Sequence, residues 1–211
     1  MELRICVPRG ALFDESVEAL SAAGLPIEPL VNLGRKLIVE CPDGLTYITT
    51  RPSDVPVYVE SGAADIGIVG RDVLIERQPD VYELLDLGFG GCRMVWATPK
   101  GVDPTPAAIE RFGVVRVATK YVNVAEAWFE QTGRKAELVK VNGSVELAPL
   151  VGLADGIVDL VATGTTLREN GLVEREQIFD SSARLIANRV SNNLKAEVVD
   201  DLVRRFAERS R

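Results

Sequence analysis

The sequence predicts an α/β protein built as two lobes. Short apolar runs rich in branched residues alternate with segments of helical periodicity, and Gly, Pro, Asp or Ser marks each switch. That rhythm argues for parallel sheets covered by helices. The tract Gly88-Phe89-Gly90-Gly91 is a hinge-like break near the middle, and Gln177–Asp180 with Arg184–Ala187 reads as a return crossing. These place residues 1–89 and 180–211 in one lobe and residues 90–179 in the other.

Taken in order, Met1 to Val7 contains a first strand, Leu3–Val7, followed by the turn Pro8-Arg9-Gly10. A helix from about Asp14 to Ala23 is stopped by Gly24. Leu37–Cys41 and Leu45–Thr50 flank Pro42-Asp43-Gly44, a hairpin signal. In Arg51-Pro52-Ser53-Asp54-Val55-Pro56, Ser53 is the expected N-cap, Pro56 falls in the first turn, and the helix runs to Gly62. Asp65–Val69 is a buried-type strand closed by Gly70-Arg71-Asp72. Then come strands Tyr82–Leu87 and Arg93–Thr98, helix Pro104–Phe112, strand Val114–Ala118, helix Val124–Thr132 and strand Ala136–Val141. The last segment reads as one long helix in which Leu194, Val198, Leu202 and Phe206 form an apolar stripe for core or subunit contact. No internal repeat or low-complexity tract is visible.

Composition narrows the chemistry. A chain of 211 residues can bury a sizeable core, as one domain or as two lobes of about 100 residues each. Its three cysteines, Cys6, Cys41 and Cys92, are widely spaced and make neither a disulfide framework nor a zinc motif. No apolar run approaches the ~18 residues of a membrane span, and the N-terminus reads as a strand, so a cytoplasmic protein off the membrane is expected. There is no histidine, which removes every Ser-His or Cys-His nucleophile and leaves carboxylates, cations and backbone to do any chemistry. A net charge of −7 disfavours nucleic acid but permits a small polyanion in a locally basic site.

The most informative stretch is Ile157-Val158-Asp159-Leu160-Val161-Ala162-Thr163-Gly164-Thr165-Thr166-Leu167-Arg168. A strand runs into a turn of small and hydroxyl residues that opens a helix. Backbone N–H groups and Thr hydroxyls there suit a phosphate, Gly164 allows close approach, and Asp159 could hold sugar hydroxyls or magnesium. A plain strand-to-helix turn with Thr caps fits the loop equally well when it is read alone. The loop also resembles the sugar-diphosphate loop of type I phosphoribosyltransferases, although Val158 stands where the first of their two acids would be, which argues against that family.

Further segments combine with it: Pro8-Arg9-Gly10, Arg35-Lys36-Leu37, Arg51 to Val59, Gly62 to Asp72, Gly91-Cys92-Arg93, Ala118-Thr119-Lys120-Tyr121, Gly143 to Pro149, Gly152-Leu153-Ala154-Asp155 and Asn170-Gly171-Leu172. In this order and spacing, essentially the whole chain resembles the ATP phosphoribosyltransferases, first enzymes of histidine biosynthesis. The resemblance implies two α/β lobes like the type II periplasmic binding proteins, with the active site in the inter-lobe cleft. The chain ends at about the size of the catalytic core, without the histidine-binding regulatory domain of the long form. It therefore resembles the short form, which implies a regulatory subunit related to histidyl-tRNA synthetase and a homodimer within a hetero-oligomer.

The substrates so implied are ATP and phosphoribosyl diphosphate, with Mg2+ carried by substrate rather than held by a dedicated set of side chains. Phosphoribosyl diphosphate is expected on Ala162, Thr163, Gly164, Thr165 and Thr166, with Glu146 and Asp159 near the ribose. Glu146 alone could equally cap a helix beside Ser144. Arg51 and Arg35 are the expected catalytic cations, and Arg9, Gly10, Asp72, Arg93, Lys120 and Tyr121 the expected ATP or diphosphate contacts. Any one arginine, taken alone, reads as a solvated surface charge, and Asp72 could equally cap a helix. A two-lobed solute-binding or ligand-sensing protein without catalysis is the alternative, and a phosphoribosyltransferase using a free base or another nucleotide is a third reading.

Overall fold

A computed structural model describes residues 2–41 and 44–209. Met1, the Pro42-Asp43 tip of the expected hairpin, and Ser210 and Arg211 at the end of the first expected lobe lie outside the described residues. In chain order the elements are β1 (Leu3–Pro8), α1 (Phe13–Ala22), α2 (Glu28–Val31), β2 (Ile38–Glu40), β3 (Leu45–Thr50), a 3-10 turn (Pro52–Asp54), α3 (Val55–Glu60), β4 (Ile66–Gly70), α4 (Arg71–Arg77) and β5 (Tyr82–Asp86). They continue with β6 (Cys92–Pro99), α5 (Thr105–Phe112), β7 (Val115–Thr119), α6 (Val122–Gln131), β8 (Ala136–Lys140), α7 (Leu147–Leu150), β9 (Gly156–Val161), α8 (Thr165–Glu169), β10 (Leu172–Ser181), β11 (Ala183–Ala187), α9 (Arg189–Leu194) and α10 (Ala196–Arg209).

The chain divides into two compact units, Met1–Gly91 with Ser182–Arg211, and Cys92–Ser181. Unit 1 carries a six-stranded sheet in the order β2-β3-β1-β4-β11-β5, and unit 2 a five-stranded sheet in the order β10-β6-β9-β7-β8. The expected parallel sheets are corrected to mixed ones. β3, β1 and β4 run parallel, as do β8, β7 and β9, whereas β11, β5, β6 and β10 pair antiparallel. Those four antiparallel strands flank the two passages from one unit to the other. Only strands joined through an intervening helix have the crossover that parallel pairing needs.

Residue alternation fills both faces of the unit 1 sheet. Leu3, Ile5 and Val7 of β1 join one core with α1 and α10, while Cys6 points to a second core with Val55 and Val59 of α3. Burial, with a smaller contribution from Asp54, pushes the Cys6 thiol up to about 12, so this cysteine is an inert packing group. In unit 2, Trp96 and Phe129 meet edge to face at 5.2 Å between ring centroids. Gly156 is required beneath them, because a Cβ there would lie 2.2 Å from the Trp96 ring.

A repeat that the sequence reading missed joins the units. The strand orders β3-β1-β4-β11-β5 and β8-β7-β9-β6-β10 match step for step. Gly62-Ala63-Ala64-Asp65 and Gly152-Leu153-Ala154-Asp155 occupy equivalent places, each glycine at φ 74. Asp65 takes the Arg4 N–H at 2.8 Å, and Asp155 takes the Arg116 N–H at 2.8 Å. Only three letters of the four are shared, Gly, Ala and Asp, too few to see without the strands around them.

Two local expectations are corrected and one is extended. Ser53 does not cap α3: it lies in the 3-10 turn and donates to the Asp54 carboxylate at 3.1 Å, while Pro56 does fall in the first turn. Gly70-Arg71-Asp72 closes β4 as expected, Gly70 being the last residue of the strand, and it also starts α4, with extended Gly70 as its N-cap. The last helix is two helices broken at Lys195, which leaves Leu194 79% exposed. The buried stripe is Val199, Leu202 and Phe206, with Val198 partly buried beside it. Each such burial contributes roughly 1.5–3 kcal/mol.

Candidate active site

In open α/β sheets, ligands gather at the carboxyl ends of parallel strands, and the singled-out residues fall there in each unit. In unit 1, Pro8 of β1 pairs with Thr50 of β3, so the next residues, Arg9 and Arg51, leave the sheet side by side. The Arg9 N–H donates to Thr50 O at 2.7 Å, and its guanidinium donates to Thr49 Oγ1 at 3.0 Å and to Lys36 O at 2.5 Å. Gly10, at φ 87, turns the chain into α1. Arg35 precedes the carbonyl that Arg9 grips, so Arg9, Arg35 and Arg51 form one basic edge. Arg35 and Arg51 are exposed and form no ion pair among the described residues. Asp72 is buried in the first turn of α4 and folds back on Gly70, where a Cβ would lie 2.2 Å from its Oδ1.

In unit 2, the register of β7 on β9 sets Thr119 opposite Val158, which brings Lys120 beside Asp159, with Nζ 3.8 Å from Oδ1. The Lys120 ammonium also sits 4.8 Å from the centroid of the buried Tyr121 ring. Thr119 Oγ1 donates to Val158 O at 2.7 Å and accepts the Tyr121 N–H at 2.8 Å, fixing this strand end. Glu146 stands at the N-cap position of α7, half-buried, and its side chain makes no capping hydrogen bond.

The loop itself runs from β9 through Ala162 and Thr163 to Gly164, whose φ of 75 makes the N-cap of α8. A left-handed residue is needed there and glycine supplies it without strain. α8 has five residues, so its dipole is small, and the loop's attraction for anions rests on N–H and hydroxyl donors rather than on a long helix. Thr163, Thr165 and Thr166 are exposed. Two residues outside the expected set complete the loop. Arg168 donates to Thr163 O and to Thr165 Oγ1, each at 3.0 Å. Glu174 of β10 grips Arg93 through Nε and through Nη2 at 2.7 Å, raising the guanidinium pKa, while Arg93 Nη1 reaches Ala162 O at 3.2 Å. Arg168 is within reach of sequence reasoning as a cation one turn after Thr165. Nothing local marks Glu174, since its partner is 81 residues away.

Each unit therefore brings its own set together: a basic edge in unit 1, and in unit 2 a hydroxyl loop flanked by Lys120, Asp159 and Arg93. Donors for phosphate oxygens and carboxylates for ribose hydroxyls are both present in unit 2.

Comparison with known proteins bears on the fold and on the family. The family model described as HisG, ATP phosphoribosyltransferase, matches residues 51–208. The ATP phosphoribosyltransferase of Rubrobacter xylanophilus is 56% identical over 92% of this chain and 89% of its own length. A solved structure, the ATP phosphoribosyl transferase (HisG:HisZ) complex from Thermotoga maritima, superposes with a TM-score of 0.83 at 34% identity, covering 98% of this chain and 97% of that one. The periplasmic aliphatic sulphonate binding protein SsuA from Escherichia coli, 14% identical, superposes with a TM-score of 0.60 over 99% of this chain and 72% of that one, which places the fold with the two-sheet periplasmic binding proteins. With the family model covering well over half of the sequence and a relative identical at more than half of the aligned positions, the chain belongs to the ATP phosphoribosyltransferase family.

Proposed function

We propose that the chain transfers the 5-phosphoribosyl group of phosphoribosyl diphosphate to N1 of ATP with release of pyrophosphate, the first step of histidine biosynthesis. The observation that carries the site assignment is the threonine loop after β9, whose carbonyls at Ala162 and Thr163 are occupied by Arg93 and Arg168, leaving donors for a phosphate. In this reading Thr163, Gly164, Thr165 and Thr166 bind the phosphate end, and Asp159 and Glu146 accept from ribose hydroxyls. Arg9, Arg35, Arg51, Lys120 and Arg93 balance the charge of two polyanions.

The absence of histidine suits this reaction. Adenine N1 carries a lone pair, so the N1–C1′ bond forms without a base, while the C1′–oxygen bond breaks and its electron pair leaves with the diphosphate. The barrier lies in bringing two anions together and in the charge that grows on the leaving group, and fixed cations answer both. Arg51 and Arg35 are the assigned catalytic cations, being the exposed guanidinium groups of the basic edge. Magnesium would arrive on the diphosphate and meet one carboxylate, Asp159 or Glu146, whose oxygens suit a hard cation. Magnesium so bound would neutralise diphosphate charge.

Among the described residues no helix is long and apolar enough to cross a membrane. The reaction draws on ATP and an activated sugar, metabolites of the cell interior, which supports a cytoplasmic setting. The HisG:HisZ complex from Thermotoga maritima supports a HisZ-like regulatory subunit in a hetero-oligomer for this chain as well; a kinship of that subunit to histidyl-tRNA synthetase and a homodimer within the assembly are what the family resemblance implies.

Pyrophosphate release from ATP plus phosphoribosyl diphosphate, measured with and without that subunit, tests the activity; a solute-binding protein would release none. The loop assignment has its own test. Changing Thr163→Ala together with Thr166→Ala is expected to weaken phosphoribosyl diphosphate binding by about 1.5 kcal/mol per hydroxyl, roughly tenfold each, and to leave ATP binding nearly intact. Calorimetric titration of each substrate decides it, and equal losses for both would contradict the assignment.

A further inference from the structure

Arg168 lies beside the phosphate loop without being needed to touch a ligand. Its two terminal nitrogens are both engaged inside the loop, Nη1 on Thr163 O and Nη2 on Thr165 Oγ1, each at 3.0 Å. Thr163 Oγ1 accepts the Thr165 N–H at 3.4 Å, and the two hydroxyls lie 3.1 Å apart. A hydroxyl has one hydrogen and two lone pairs. If Thr165 donates to Thr163, then Thr163 Oγ1 has both lone pairs filled, by the Thr165 N–H and by the Thr165 hydroxyl. If Thr163 donates to Thr165, then Thr165 Oγ1 has both filled, by Arg168 and by Thr163. In either direction one hydroxyl has only its hydrogen left to offer.

We propose that Arg168 is a positioning residue that makes the Thr163–Thr165 pair a hydrogen-bond donor, and so acts on the phosphate of phosphoribosyl diphosphate through these threonines. The inference rests on the loop binding that substrate. The fork is what the task needs: two nitrogens at fixed spacing hold a carbonyl and a hydroxyl at once, which a single ammonium does not reproduce. Removing it frees a lone pair of Thr165 and a loop carbonyl to face the incoming anion, an acceptor turned toward an acceptor.

The experiment is steady-state kinetics on the full chain with its regulatory subunit. Arg168→Ala is expected to raise KM for phosphoribosyl diphosphate about tenfold, with kcat and the KM for ATP within about twofold. Arg168→Lys should recover only part of that loss. In a Thr165→Val background, Arg168→Ala should add clearly less than tenfold, because the hydroxyl is already gone and only the Thr163 carbonyl is left to lose its partner. An undiminished tenfold effect in that background, or full rescue by Lys, would overturn the proposal in favour of a plain charge effect. Should Arg168→Ala not fold, Arg168→Gln keeps an N–H donor without the charge and is expected to stay closer to wild type than Arg168→Met; equal losses for the two would overturn it. The loop reading fails separately: if Thr163→Ala with Thr166→Ala leaves substrate binding intact, both fall, whereas if that pair weakens binding and Arg168→Ala does not, only the positioning role falls.

Discussion

Replacing Arg51 with alanine is expected to lower kcat about 10²-fold, about 3 kcal/mol of barrier, while the KM for ATP moves by no more than a few-fold. The expectation follows from where charge changes. Ground-state phosphates are already charged and are met by several donors, so one lost cation has little effect on binding. The diphosphate gains its extra charge only as the bond to C1′ breaks, and a cation aimed there acts on the transition state. Arg51 is placed for such a role because its backbone is fixed while its side chain is not committed. Its carbonyl accepts the Asp54 N–H at 2.9 Å, anchoring the 3-10 turn, and it follows Thr50 directly, at the end of a strand paired in register with β1. Arg9 beside it is held by Thr49 and Lys36, and Arg93 is held by Glu174. Initial-rate measurements of pyrophosphate release over a grid of both substrates separate the two constants. Turnover within a few-fold of wild type would remove Arg51 from the chemistry.

The elements legible in the sequence are those whose cause is local. β5 begins at Tyr82 and β8 at Ala136, as their alternating apolar residues predict, and α1 stops before Gly24, whose φ of 78 ends it. The loop of Ala162 to Thr166 is legible for the same reason, being a contiguous run whose donors need no distant partner. What the chain hides is decided over long range. Leu194, Val198, Leu202 and Phe206 keep a four-residue spacing straight through Lys195, itself a good helix former, yet the helix breaks there. β10 is read from its sequence only from Gln177 onward, because Glu174, Arg175 and Glu176 resemble a solvated loop. Pairing with β6 makes it a strand all the way from Leu172, with irregularities at Glu174/Glu176 and Gln177/Phe179 that absorb the charged run. The Arg93–Glu174 fork behind the loop was hidden with it.

The break at Lys195 leads to the second large effect, on stability. Lys195 leaves the helix and reaches Asp65, 130 residues earlier, at 2.7 Å, while also donating to Glu2 O at 2.6 Å. The Asp65 carboxylate, 2% exposed, takes the Ser191 hydroxyl at 2.7 Å and the Arg4 N–H at 2.8 Å as well. Burial pushes this carboxyl up, but the hydrogen bonds from Lys195, Ser191 and Arg4 outweigh it and hold the pKa below the ordinary carboxylate value. Asp65→Ala would strand the Arg4 N–H and leave Lys195 beside an apolar gap, and is expected to cost about 3–5 kcal/mol. Because the folded pKa is lowered, the group's contribution is present above its unfolded value, about 3.9, and is lost as pH falls through the folded one. Asp65→Asn should therefore unfold more readily than wild type at pH 7 and show a shallower loss of stability below about pH 5. Some acid dependence should persist from Asp155 and Asp86, whose carboxyls are also lowered, the first by Arg116 and the second chiefly by the Gly88 N–H and Ser182, in each case against burial. The repeat supplies the comparison, since Asp155 plays the same backbone role with a more exposed partner: the Arg116 side chain is 39% exposed against 21% for Lys195. Asp155→Ala should cost less than Asp65→Ala. Both tryptophans lie in unit 2, so urea unfolding is followed by far-UV circular dichroism, which reads both units. A cost below about 1 kcal/mol for Asp65→Ala would mean that Lys195 breaks the helix for some reason other than this carboxylate.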